Sequence, residues 1–391
     1  MADTVDGIVE LLEREGVTKA CEAVEGWARE GRWHDLVALA AALEERCPVD
    51  AAHEDERGRH EIVADHIEDQ IALAPAAEAI DALLSLSLRD RERSVVVPRT
   101  RSMRVAAFAS RLGYAHGADA LLAALDRAGE RPEHQELFAC WMQEVVLRGG
   151  SLVGEPRAER FREALAKQNH PLAVLPLELR NIEREAPSYM PLYGDKGLGR
   201  AIDTLASGAV SVRTIPPPAE GATVRATRLT EPSVVDRMCT AVRPWTEGTS
   251  GKVEAKLFAI EPPVTASSLG SWLLRALPLE STAGVARLDC SRAQAENVFG
   301  PLFSAASNGG AYSSGLGGAY GRLAAWTSLG ALVGAPEGAG IEAIDAQTAK
   351  CAFLSFRAPG PWFHDVAWDL GVLVLRADGR TAAVLAATDN E

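Results

Sequence analysis

From residue 4 to about 185 the apolar residues of this chain return every three or four positions, and glycines punctuate the stripes. Val5, Ile8, Leu11 and Leu12 make the first stripe, and Gly16 follows it. Val17, Ala20, Cys21, Val24, Trp27 and Ala28 make the second, closed by Gly31, and Trp33, Leu36, Val37, Ala40 and Leu43 make a third before Pro48. That spacing lines one face of an α-helix, and glycine just past the last apolar residue is the usual stop. The rhythm continues over 56–73, 75–88, 99–112, 116–128, 132–148, 156–168 and 170–184. Helices this short must bury their stripes against one another, as stacked antiparallel pairs of an α-solenoid or as an irregular helical domain. No clean residue-level repeat separates the two.

Past Ala186 the pattern changes. PSYMPLYGDKGLG and TIPPPAEGA are linker chemistry, and after Pro218 short apolar runs alternate with helical ones. Thr223–Leu229 and Lys252–Ile260 read as strands, with a helix over Ser233–Val242. Further helices are predicted over Ser268–Leu277, Ser291–Ala305 and Ala319–Val333, and a strand over Cys351–Phe356. Val366–Arg376 and Thr381–Thr388 flank Ala377-Asp378-Gly379-Arg380, and Asp-Gly between two apolar runs marks a hairpin turn. The expected fold is α+β: a helical-repeat-like domain over 1–185, then a mixed α/β domain over 186–391 ending in an antiparallel hairpin. A length of 391 residues suits two domains.

A formal net charge of -14 disfavours nucleic acid and anionic membranes as general partners. No apolar run approaches the ~18–20 residues of a membrane span, and the acidic start MADTVDGIVELLERE has no basic or apolar leader. Cys21, Cys47, Cys140, Cys239, Cys290 and Cys351 are scattered without a C-x-x-C pair, which reads as reduced thiols and a cytoplasmic setting.

Three constellations could carry function. Ser307–Arg322 is glycine-rich, bears hydroxyls and runs into a helix. Asn308, Gly309, Gly310, Tyr312, Ser313, Gly317 and Gly318 could cradle a small anion on backbone N–H groups, with Arg322 adding charge. The competing reading is a tightly packed connector, since neither a dinucleotide fingerprint nor a P-loop is present. Around Trp362, His364 has Asp365 and Asp369 close by; a His–Asp couple suits acid–base chemistry. Strand alternation puts Asp369 beside Ala367 and Gly371, where a carboxylate needs a partner; the plain alternative is an Asp369 bonded to backbone. Arg89, Arg91, Arg93, Arg99, Arg101 and Arg104 form an arginine cluster suited to carboxylates or phosphates, or simply a solvated loop. No aromatic residue interleaves with them, so stacking on bases is not provided for. His53, His60 and His66 do not share a helix face, and no H-E-x-x-H or Gly-x-Ser-x-Gly occurs; neither a metal nor a cofactor is expected.

Gly309-Gly310-Ala311-Tyr312, Gly317-Gly318-Ala319-Tyr320-Gly321-Arg322-Leu323-Ala324-Ala325-Trp326, Val366-Ala367-Trp368-Asp369-Leu370-Gly371 and Leu385-Ala386-Ala387-Thr388-Asp389 resemble a family of uncharacterised actinobacterial proteins. The likeness lies mainly over 290–391. It implies a bacterial cytosolic setting and brings no activity or catalytic residue.

The leading expectation is therefore an interaction or regulatory protein. Its helical half would meet a protein partner, and its C-terminal domain would bind a small anionic ligand. The rival is an enzyme with a C-terminal site on a small anionic substrate. Both place 307–322 and 362–369 together beside the closing hairpin.

Overall fold

The computed structural model describes residues 3–47, 54–86, 101–184, 224–247, 249–311, 313–364 and 368–389. The chain divides into two compact units, Met1–Ala173 and Val174–Glu391, and the fold is α+β.

The first unit is helical: α1 (Val5–Glu15), α2 (Val17–Arg29), α3 (Trp33–Arg46), α4 (Glu54–Leu73), α5 (Ala77–Leu86), α6 (Arg101–Ala115), α7 (Ala118–Ala128), α8 (Gln135–Leu147) and α9 (Pro156–Lys167). Thr4 starts α1 by accepting the Gly7 N–H on its hydroxyl at 3.1 Å. Of the first stripe Ile8 and Leu12 are buried, joined by Val9, while Val5 and Leu11 are partly buried. From α4 onward the contacts fall into two rows, α4–α6–α8 and α5–α7–α9. The axis of this packing is α8, buried from Leu137 to Leu147, with Trp141 stacked on Phe138 at 6.1 Å between ring centroids.

The predicted helix over 170–184 does not form. Only 3-10 turns at Pro171–Val174 and Asn181–Glu183 appear, because Pro176, in the interior of that span, removes a backbone donor that a continuous helix would need and disfavours helical backbone at Leu175.

The second unit is built on a six-stranded antiparallel sheet. Its strands are β1 (Arg225–Leu229), β2 (Lys252–Glu261), β3 (Asp289–Ala293), β4 (Ala352–Arg357), β5 (Asp369–Leu375) and β6 (Thr381–Thr388), in the order β1-β2-β6-β5-β4-β3. The closing hairpin pairs β5 with β6 from Asp369↔Thr388 to Leu375↔Ala382. Gly379 takes the left-handed φ of 62° in its turn, and Asp378 accepts the Arg380 and Thr381 N–H groups at 2.8 and 2.9 Å. Both central strands are buried on both faces, which explains why they read as continuous apolar runs.

On one face Phe258, Ile260, Leu354, Phe356, Leu373, Leu375 and Val384 pack with α11 (Ser271–Ala276) and its flanks. The other strand residues, among them Leu257, Val372, Val374, Ala383 and Leu385, are buried as well. The helices contacting these strands are α10 (Pro232–Met238), α12 (Ala295–Asn308) and α13 (Gly317–Val333), and α14 (Ile341–Thr348) packs on α13. The sequence of α13 has no polar stripe, and the helix is buried nearly all round. The edges are guarded by charge: β1 carries Arg225 and Arg228, and β3 carries Asp289 and Arg292.

The helix predicted from Ser291 starts instead at Ala295. Asp289–Ala293 pair with Phe353–Arg357 as an edge strand, a long-range partnership that local periodicity does not encode.

Glu254 and Lys256 of β2 sit on the same face as Phe258 and hold residues 278–281. Glu254 accepts the N–H groups of Glu280 and Ser281 at 2.7 and 2.8 Å and pairs with Lys256 at 2.6 Å. Desolvation pushes its carboxyl pKa up, but the bonds from Lys256, Ser281 and Glu280 outweigh that and hold it below the usual value of 4.5. A depressed folded-state pKa contributes stability that is present above the unfolded value and lost as pH falls through the folded one. Urea midpoints measured from pH 7 downward are therefore expected to fall below about pH 4.5 more steeply for the wild type than for Glu254→Gln. Parallel curves would remove this carboxylate from the acid response.

Candidate functional site

The glycine-rich segment closes a tight connection between α12 and α13 and docks on the end of the closing hairpin. Gly309 (φ 79°) leaves α12 and Gly317 (φ 74°) enters α13 in left-handed conformations, which glycine adopts without a Cβ clash. Between them the Leu316 N–H donates to Ala306 O at 2.8 Å, folding the loop back over α12. The Gly310 N–H donates to Ser313 Oγ at 2.8 Å, and Trp245 Nε1 donates to Gly309 O at 3.0 Å. A Cβ at Gly310 would collide with Asp389 Oδ2, one at Gly315 with the Ser307 carbonyl, and one at Gly321 with Ser307 itself. These glycines are required by packing.

Asp389, just past β6, joins the loop to the sheet. Its Oδ2 accepts the Ala311 N–H at 2.7 Å, and its own N–H donates to Trp368 O at 3.1 Å. Next to it, Thr388 donates its hydroxyl to Asp369 Oδ1 at 2.6 Å across the β5–β6 register pair, and the His364 backbone N–H reaches the same oxygen at 3.5 Å. Hydrogen bonds thus run from Ala311 to Asp389 and on to Trp368, with Asp369 and His364 alongside. Segments 307–322 and 362–369 are bridged through Asp389 beside the closing hairpin. Asp389 carries the junction, and the sequence reading did not single it out. Its signal was position: a carboxylate directly after a strand that is apolar from Ala382 to Ala387, where desolvation demands a partner.

The individual residues fall out as follows. Asp369 is buried and bonded to Thr388 and to the main chain at His364, so the His364–Asp369 contact is not an imidazole–carboxylate couple. Among the described residues His364 Nε2 has no hydrogen-bond partner. Trp362 packs edge-on against Phe363 at 4.6 Å between ring centroids, as part of the layer over the sheet. Asn308 Nδ2 donates to Ser304 Oγ at 3.2 Å, and Gly318 is buried at the start of α13. Asp365 and Tyr312 lie outside the described residues.

Arg322 requires a correction. It is fully buried, with Nε and Nη2 on the Glu183 carboxylate at 2.6 and 2.7 Å, and with Nη1 and Nη2 on the carbonyls of Pro176 and Glu178, each at 2.9 Å. Glu183 also accepts from Trp326 Nε1 at 3.0 Å and from the Arg180 N–H at 2.7 Å. The guanidinium is committed to holding 176–183 on α13 and does not serve the loop as an anion receptor.

Arg104 is corrected in the same way. It lies buried in the first unit, with Nη2 on Glu68 at 2.5 Å and the guanidinium 5.3 Å from the Phe108 ring centroid. Arg101 opens α6, and Arg89, Arg91, Arg93 and Arg99 lie outside the described residues.

The cysteines are all free. Burial pushes the Cys290 thiol up to about 12 and Cys239 to about 11, which removes the thiolate that nucleophilic chemistry needs. Among the described residues no group of three or more His, Cys, Asp or Glu side chains is placed to hold a metal ion, and no helix is long and apolar enough to cross a membrane.

The first unit carries a half-open groove of about 440 Å³ between the end of α7, the turn at Pro132–His134 and α9. Leu125, Pro132, Phe161 and Ala164 supply its apolar lining, and Arg131, Arg157 and Arg160 its cations. Arg157 is bound to Asp126 at 2.8 Å, and Gln135 donates to Gln168 at 2.8 Å. No sequence motif marks it, because its residues come from α7, the turn at Pro132–His134, the start of α8 and α9.

Helical unit and sheet unit together define an α+β protein with a polar junction at the hairpin end and a basic groove among its helices. The chain belongs to a family of unknown function (DUF6183), whose model matches residues 18–391 and so takes in the helical half as well as the sheet. No curated protein and no solved structure matches the chain.

Proposed function

We propose that this is a cytoplasmic bacterial interaction or regulatory protein. Its helical unit acts as a short solenoid that receives a protein partner, and its C-terminal unit is a ligand-binding module. The groove between α7 and α9 carries the reading: it combines an apolar lining with convergent polar side chains, as recognition sites do. The two helix rows support the solenoid, since such stacks present extended binding surfaces. Six free cysteines support a reducing compartment.

A second reading keeps the enzyme, with His364, Asp365 and Asp369 as its acid–base candidates. The junction through Asp389 favours it; the commitment of Arg322 to Glu183 and the main-chain nature of the His364–Asp369 contact weigh against it. Affinity capture with the full chain, followed by size-exclusion chromatography, separates the two. The expected result is a stoichiometric protein complex formed by the wild type and lost with Ala164→Trp, which fills the groove from an exposed position. Capture of no partner, together with substrate turnover by the isolated protein, would refute the interaction reading.

A further inference from the structure

We infer that the groove between α7 and α9 recognises an acidic peptide segment of its partner: an extended stretch that places one apolar side chain on the groove floor between flanking carboxylates. This rests on the interaction reading above and adds the chemistry of what binds.

Charge comes first. Of the three arginines that line the groove, Arg157 is held by Asp126 at 2.8 Å with Glu155 at 4.0 Å. No ion pair engages Arg131 or Arg160 among the described residues, and both are exposed. Three cations line the groove against the two carboxylates Asp126 and Glu130, on a chain of net charge -14. This local excess of cations attracts carboxylates at short range, against the long-range repulsion from the chain's net negative charge. Guanidinium groups accept carboxylates in a two-point fork that a lysine cannot offer.

Shape comes second. Leu125 and Phe161 form a floor, and Phe161 is fixed edge-on against the buried Phe138 at 6.2 Å between ring centroids, so the surface is preformed. At about 440 Å³ the groove takes one aliphatic side chain with its neighbours and cannot enclose a folded domain. The Gln135–Gln168 amide pair leaves three amide N–H donors and carbonyl lone pairs for the main chain of an extended ligand. Nucleic acid fits less well: stacking on exposed aromatics is not offered, and the surrounding charge is negative.

The test is fluorescence anisotropy on the full chain. The probe is a fluorescein-labelled ten-residue peptide of Asp and Glu around a central Leu, with an Asn/Gln version as the uncharged control. Expected are saturable binding of the acidic peptide only, about tenfold weaker with Arg131→Ala/Arg160→Ala, and weakening further as salt rises. Arg127→Ala, an exposed arginine paired with Asp81 outside the groove, is expected to leave binding unchanged. The inference is overturned if the wild type ignores the acidic peptide, if the double variant binds it equally well, or if Arg127→Ala weakens it as much. Tighter binding of a fluorescein-labelled single-stranded oligonucleotide through the same arginines would overturn it in favour of nucleic acid. A partner captured from lysate, lost with Ala164→Trp yet indifferent to Arg131→Ala/Arg160→Ala, would end this inference and leave the interaction reading standing.

Discussion

Replacing Arg322 by methionine is expected to destabilise the second unit by about 3–5 kcal/mol, because it strands a buried carboxylate. Glu183 is fully buried, and in the wild type it accepts two bonds from Arg322, one from Trp326 and one from the Arg180 N–H. The substitution roughly keeps volume and removes the charge that compensates Glu183. It also leaves the carbonyls of Pro176 and Glu178 short of donors in the interior. Adding Glu183→Gln to Arg322→Met is expected to cost less than the two single changes summed, since the second change removes the stranded charge. Hydrogen exchange at the α13 amides during urea unfolding reads this unit separately from the helical one. A loss under about 1 kcal/mol, the size typical of exposed pairs, would show that the pair is not the buried clamp described here.

Gly310→Ala is expected to cost about 1–3 kcal/mol through overpacking. The new Cβ would meet Asp389 Oδ2 and lie 3.2 Å from Trp245 Cδ1, so Asp389 must leave the Ala311 N–H or the loop must lift off the sheet. A glycine retained for the approach of a ligand would behave differently: alanine would weaken binding and leave stability intact. Combining Gly310→Ala with Asp389→Ala distinguishes the two, because the methyl then has space and the combined cost should fall short of the sum. Full additivity in denaturant unfolding, or a Gly310→Ala variant as stable as the wild type, would dissolve the proposed contact between loop and hairpin.

These two positions show where sequence reasoning stopped. Both Arg322 and Gly310 were recognisable as special, an arginine in an otherwise apolar helix and a glycine within a run of glycines. What each is special for depended on groups far away in the chain. Arg322 meets a carboxylate 139 positions earlier, and the Ala311 N–H meets one 78 positions later. Arg104 likewise finds Glu68 36 positions away. A charge looks the same in the sequence whether it will be solvated, neutralised by a partner or offered to a ligand.

Local order, in contrast, was written plainly. The apolar spacing of α1 to α3 with Gly16 and Gly31 set helix lengths and stops, and Asp378-Gly379 set the hairpin, because both depend on backbone conformations available within a few residues. The α+β class followed from that order. Tertiary structure alone decided that Asp289–Ala293 becomes an edge strand, that Asp389 carries the junction, and that α7 and α9 enclose a groove rimmed by arginines. Each of these is a pairing between distant segments, whose free energy comes from burial and hydrogen bonding that exist only once the chain has closed on itself.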